Sequence, residues 1–211
     1  MKRHRAAIRT GFHKFDPADR SRLCSEDRLK RLPPAKILGD IGLKSGDSLV
    51  DIGCGPGLFA LAAASIVGPK GMIFGLDISP EMIGDLNKSA ASLGLTNVRA
   101  MLTKETESDL PREASFYLMV NVFHELADRP AYLRNIRRSM GSGSRLVVID
   151  YYRKKTLHGP PLSERMPLTE TKALLGEQGL AVMRTWRVNE DEYGLMAGRA
   201  RPDRKSSFYS R

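Results

Sequence analysis

The sequence predicts an α/β fold, a mostly parallel sheet with helices on both faces that ends in an antiparallel strand. Three observations predict it. Short apolar runs alternate with helix-like segments from residue 49 to 150, and parallel strands need such helical crossovers between them. A glycine cluster, Gly53-Cys54-Gly55-Pro56-Gly57, separates the first apolar run from a helix, which is where doubly wound sheets receive a ligand. The last two apolar runs are parted only by Asn189 to Glu192, a gap that suits a hairpin.

In chain order, Ser25 to Arg31 is helix-like and ends at Pro33-Pro34. Pro34 through Ile41 is a second helix, with Ile37, Leu38 and Ile41 on one face and Gly42 at its end. Leu49 to Ile52 is a buried strand, and Leu58 to Val67 a helix whose alanines permit close packing on a sheet. Met72 to Leu76 is a strand; Pro80 to Leu93 is a helix with proline in its first turn. Val98 to Leu102 is a strand, followed by the polar loop Thr103 to Asp109. Phe116 to Val122 is an apolar strand. Pro130 to Met140 is an amphipathic helix, with Leu133, Ile136 and Met140 at helical spacing, closed by Gly141-Ser142-Gly143. Arg145 to Asp150 is a strand, Thr169 to Gln178 a helix, and Leu180 to Val188 and Tyr193 to Arg199 the closing strands.

Bulk properties bound the function. The chain has 211 residues, 41% hydrophobic and 27% charged, the range of a globular domain with a core. Its longest nearly apolar run, Leu58 to Gly68, is about half of the ~20 residues that a membrane span needs. The basic N-terminus is not followed by the apolar stretch of an export signal. Two cysteines, Cys24 and Cys54, build neither a disulfide framework nor a thiolate metal cluster. A cytoplasmic protein with no resident metal is expected.

The net charge of +10 is uneven. Residues 1–14 hold five bases and no acid, and residues 201–211 hold four bases against Asp203, leaving +2 for residues 15–200. We expect one domain over 15–200 between two mobile basic tails, 1–14 and 201–211. Such tails are able to hold a nucleic acid, but more often they are solvated ends.

The glycine cluster is the most informative stretch. Glycine permits the tight turn and the close approach of a ligand to the backbone, and the following helix offers free N–H groups to an anion. A dinucleotide loop would place its third glycine where Leu58 stands, and no Gly-Lys-Ser/Thr occurs, which excludes a P-loop. Asp77 ends the second strand in Gly75-Leu76-Asp77-Ile78-Ser79. A carboxylate there suits two ribose hydroxyls, with Ile78 and Met82 as an apolar surface for a base; alternatively Asp77 only caps the helix that starts at Pro80.

Val50 to Gly57 resembles the first motif of class I S-adenosylmethionine-dependent methyltransferases. FGLDISPEM, residues 74–82, resembles their ribose-binding motif. LMVNVFHEL, residues 118–126, and SRLVVIDY, residues 144–151, resemble the fourth and fifth strands of the ubiquinone/menaquinone-type group. The resemblance spans about residues 35–200 and implies a Rossmann-like, seven-stranded sheet with one antiparallel strand. It implies S-adenosylmethionine as cofactor, with Gly53, Cys54, Gly55 and Gly57 against its methionine part. Asp51 would fix that loop, Asp77 would hold the ribose, and Asn121 would face the sulfonium. The chain departs from the family at Ala114-Ser115, where an acid usually stands, and leaves Glu105 as the acid for the adenine amino group.

Methyl transfer from a sulfonium needs mainly positioning of the acceptor. A base is required only where the acceptor loses a proton. His124 is the candidate base; otherwise it caps or packs in its loop. Tyr151 and Tyr152 read as pocket wall. His158-Gly159-Pro160-Pro161 reads as a loop that closes over the acceptor or as a plain connection. Arg165 reads as an anion binder or, more commonly, as the partner of a nearby acid. Cys54 is a packing residue rather than a nucleophile, having no adjacent base. The segment Asn121-Val122-Phe123-His124 lacks the Asn/Asp-Pro-Pro-aromatic motif of nucleic-acid amino methylation. A small-molecule acceptor is therefore expected first. An RNA or protein methyltransferase using the tails, or a binding protein without turnover, are the alternatives.

Overall fold

The computed structural model describes residue 23, residues 25–104, residue 106 and residues 110–200. The expected basic tails, 1–14 and 201–211, and Glu105 lie outside the described residues.

Seven strands form one sheet: β1 Ser48–Ile52, β2 Met72–Asp77, β3 Val98–Leu102, β4 Phe116–Val120, β5 Arg145–Tyr151, β6 Leu180–Arg187 and β7 Glu192–Arg199. Their spatial order is β3-β2-β1-β4-β5-β7-β6. Every pair from β3 to β5 is parallel, and β7 runs antiparallel to both of its neighbours. This is the Rossmann-like sheet with one antiparallel strand that the sequence predicts. The chain order reverses between β1 and β4, so a crevice opens beyond their carboxyl ends.

Alternate residues of each strand point to opposite faces, which builds two cores. Leu49, Leu118 and Val147 meet Leu38 of α2 (Pro34–Asp40), Ala63 of α3 (Leu58–Val67) and Leu86 of α4 (Pro80–Ser92). Val50, Met119 and Val148 meet Leu133 and Ile136 of α5 (Arg129–Ser139) and Leu175 of α6 (Leu168–Glu177). The carbonyls at the end of α3 are satisfied by a side chain: buried Asn97 donates from Nδ2 to Ala64 O at 3.0 Å and to Gly68 O at 2.9 Å. The first helix, α1 (Glu26–Arg31), has no buried residue.

One boundary differs from the sequence reading in a way that shapes the site. The apolar run predicts a strand through Val122, but β4 stops at Val120. Asn121 adopts a left-handed conformation, φ 59°, which turns the chain, and asparagine tolerates this better than most residues. A 3-10 turn over Phe123–Glu125 follows. Among the described residues no helix is long and apolar enough to cross a membrane.

Candidate active site

The glycine loop is bent by three residues of positive φ: Gly53 at 67°, Gly55 at 54° and Gly57 at 100°. Two of them also make room for the protein itself. A Cβ on Gly53 would collide with Val122, and one on Gly57 would lie 2.5 Å from Leu86 Cδ1. The loop is tied to β2: Cys54 N–H donates to Leu76 O at 2.9 Å, and Gly55 N–H donates to Asp77 Oδ2 at 2.9 Å. Asp77 Oδ1 accepts from Ser79 N–H at 2.9 Å. Capping of α4 falls to Ser79, whose Oγ accepts from Met82 N–H at 3.3 Å, so Asp77 is not that helix's cap.

A cavity of about 1280 Å³ opens at the carboxyl ends of β1, β2, β4 and β5. Asp51, Gly53, Cys54 and Gly55 form one part of its wall, and Asp77, Ile78 and Met82 another. Asn121 and His124 stand on the wall as well. Gly57 is set back from it, because the backbone there is already turning into α3 and packs on Leu86.

Asp51 is 3% exposed, and its Oδ2 has no hydrogen-bond partner. Burial, then the neighbouring Asp77 carboxylate, push the Asp51 carboxyl up to about 7. Burial and the same two acids hold the Cys54 thiol well above its ordinary value, so it is no thiolate nucleophile. On the far side of the switch point, Asn121 Nδ2 donates to Glu192 Oε1 at 2.7 Å, while Asn121 Oδ1 is buried without a partner.

His124 is 5% exposed, held by Asp150 at the end of β5. Its backbone N–H donates to Asp150 Oδ2 at 3.0 Å, and its Nδ1 lies 2.8 Å from Asp150 Oδ1. Tyr151 N–H donates to the same carboxylate at 2.7 Å. With the Nδ1 proton on Asp150, Nε2 carries the lone pair, 3.7 Å from Glu125 Oε1. Burial disfavours the imidazolium, but Asp150, then Glu125 and Glu164, more than offset it, so His124 titrates above an ordinary histidine. Arg129 fixes the turn by donating to Phe123 O at 2.9 Å and His124 O at 2.6 Å.

Tyr151 belongs to the wall, whereas Tyr152 packs against Tyr193, ring centroids 5.5 Å apart. The loop holding His158, Gly159, Pro160 and Pro161 also lines the cavity, and Gly159, φ 97°, admits the Tyr151 ring against its backbone. Arg165 takes neither of its expected roles. Buried at 5%, it donates to Pro160 O at 2.9 Å, Lys154 O at 2.8 Å and Thr156 Oγ1 at 2.8 Å, and to Tyr152 O and His158 O. It also stacks on Tyr151 at 4.9 Å. A guanidinium's five donors in one plane suit it to gather the carbonyls of an irregular loop.

Sequence reasoning assigned no role to Arg28 and Arg31, which line the cavity from α1, or to Glu192 beneath Asn121. The two arginines stand three apart on one helix face. That spacing was visible, but a helix with no buried residue gives no apolar stripe to show which face meets the protein.

Residues 43–192 match a family model described as a methyltransferase domain. A solved S-adenosylmethionine-dependent methyltransferase from Aquifex aeolicus superposes with a TM-score of 0.82 at 30% identity, covering 87% of this chain and 98% of that one. Aklanonic acid methyltransferase DauC of Streptomyces sp. (strain C5) is 35% identical over 79 residues, 37% of this chain and 36% of its own length. Demethylmenaquinone methyltransferase of Staphylococcus aureus (strain JH9) is 27% identical over 118 residues, 54% of this chain and 47% of its own. The chain thus spans less than half the length of these two curated relatives.

Proposed function

The chain belongs to the class I S-adenosylmethionine-dependent methyltransferases, and from that premise we propose that it methylates an ionisable oxygen of a small molecule with His124 as general base. The observation that carries the proposal is the His124–Asp150 pair on the wall of the cavity that the glycine loop and Asp77 also line.

The residues fit the cofactor. Asp77 keeps lone pairs free beyond its two backbone bonds, which suits a ribose diol. Ile78 is an exposed apolar surface at 45%, beside Met82, for the adenine. The unpartnered Oδ2 of Asp51 suits the ammonium of the methionine part, and the unpartnered Oδ1 of Asn121 suits the electron-poor carbons around the sulfonium. Gly53, Cys54 and Gly55 border the same end of the cavity; Glu105 stays a candidate for the adenine amino group.

When bound, S-adenosylmethionine supplies a methyl group on a sulfonium that departs as a neutral thioether. Asp150 holds His124 so that Nε2 is the proton acceptor, and the acceptor's O–H proton passes to it as the oxygen takes the methyl group. The Asp150 carboxylate then stabilises the imidazolium. General-base help of this kind contributes on the order of 10²–10⁴-fold. Aklanonic acid and demethylmenaquinone in the relatives' names support an organic small molecule as acceptor.

Calorimetry with S-adenosylmethionine tests the cofactor assignment: the intact protein binds it, and Asp77→Ala weakens it at least tenfold. Transfer of labelled methyl to a panel of phenols and carboxylic acids tests the reaction. Binding of NAD in place of S-adenosylmethionine would sink the reading.

A further inference from the structure

We propose that Arg31, with Arg28, forms an oxyanion subsite for the methyl acceptor, so that the natural acceptor carries a carboxylate or an acidic phenol beside Tyr151. The inference rests on the methyltransferase reading and names the substrate class of its cavity.

Arg31 reaches from α1 to the acceptor side of the sheet. Its Nη1 lies 3.7 Å from Glu192 Oε2, at the start of β7, opposite Tyr151 of β5. Both Glu192 oxygens already accept from amides, Oε1 from Asn121 Nδ2 at 2.7 Å and Oε2 from Asn189 Nδ2 at 2.6 Å. Glu192 balances the charge of Arg31 without taking its N–H groups. Arg31 Nε and Nη1 are consequently buried with no hydrogen-bond partner, on a residue that lines the cavity. Sheltered N–H groups of a cation are costly to leave unmade; here the partner must come from the cavity.

Charge chooses the kind of partner. Burial, then the Glu192 charge, raise the Tyr151 hydroxyl, while Arg31 and Arg28 both act to ease its ionisation. Two cations therefore face the spot where Tyr151 meets the cavity, against one acid whose oxygens are occupied. An acceptor bearing an oxyanion supplies both the missing lone pairs and the missing charge, and the planar fork of arginine fits two carboxylate oxygens. The cofactor carries a carboxylate too, but Asp51 and Asp77, the residues fitted to it, end β1 and β2. Arg31 engages β5 and β7, on the other side of β4.

Benzoate and benzamide, of nearly equal shape, are titrated calorimetrically into the protein saturated with S-adenosylhomocysteine. Benzoate is expected to bind at least tenfold more tightly than benzamide. Arg31→Gln should erase that preference while S-adenosylhomocysteine affinity changes less than twofold. Arg31→Lys keeps a cation beside Glu192 and should retain part of the preference, which covers the case in which Arg31→Gln does not fold. Equal binding of the two probes, or a preference that survives in a folded Arg31→Gln or undiminished in Arg31→Lys, overturns the subsite. Loss of S-adenosylhomocysteine binding in Arg31→Gln also overturns it, by assigning Arg31 to the cofactor. Failure of the intact protein to bind S-adenosylhomocysteine would instead bring down the methyltransferase reading beneath it.

Discussion

Asp51 and His124 are both buried and both raised, yet their consequences for pH differ because one is an acid and the other a base. The folded Asp51 titrates near 7, above its ordinary 3.8. Its protonated form is favoured by folding, so the associated stability is full below about pH 4 and is lost as pH rises through 7. A cationic cofactor ammonium beside Oδ2 reverses the preference and favours the carboxylate. Cofactor affinity should therefore rise as pH increases through 7, with a proton released on binding. Calorimetry in buffers of different ionisation enthalpy measures that proton, and Asp51→Asn should abolish it. The same variant should raise the melting temperature of the cofactor-free protein at pH 8.

His124 is also raised, by Asp150 above all the acids around it. Its contribution to stability is present below the ordinary histidine value and disappears as pH climbs through the folded one. Catalysis needs the neutral ring, so turnover should increase with pH across that higher value. His124→Ala should lower turnover by roughly 10²–10⁴-fold with cofactor affinity intact. Asp150→Asn should bring the pH midpoint of turnover down, since the charge that holds the proton on the ring is gone. A flat pH profile in the intact enzyme would show that positioning alone does the work.

At the scale of elements, the segment 152–166 is an irregular loop held by one side chain. Removing Arg165 leaves the carbonyls of Tyr152, Lys154, His158 and Pro160 without their shared donor and Tyr151 without its stacked cation. Arg165→Ala should thus raise KM for the acceptor several-fold and speed proteolysis within the loop, while cofactor affinity, held by the β1 and β2 ends, stays put. Asn97 plays the same kind of part at the end of α3, where its amide closes two carbonyls in a buried place. Asn97→Ala should cost about 1–3 kcal/mol of stability, the expected penalty for orphaned buried polar groups, measured by denaturant unfolding.

At the scale of the whole molecule, every described wall residue of the cavity falls between Leu23 and Pro161. Deleting 1–14 and 201–211 should accordingly leave cofactor affinity within twofold of the intact chain. If the tails hold a nucleic acid, RNA affinity should fall steeply with salt, as counterion release requires, and vanish on trimming. Filter binding at two salt concentrations checks both.

The sequence by itself determined the sheet, its order of strands and helices, and the cofactor end of the cavity. Those features are local or periodic: an apolar run reads as a buried strand, and Gly53, Gly55 and Asp77 sit at strand ends a fixed distance apart in the chain. Even β4, one boundary misjudged, was misjudged only because valine looks like a strand residue while the left-handed Asn121 before it ends the strand. The tertiary structure alone decided the acceptor end. His124 and Asp150 are 26 residues apart, Asn121 and Glu192 are 71 apart, and Arg31 meets Glu192 from the opposite end of the domain. No periodicity links such positions. They become neighbours because β5, β7 and β4 lie side by side in the sheet, and only folding turns that adjacency into hydrogen bonds, shifted protonation and an unsatisfied guanidinium.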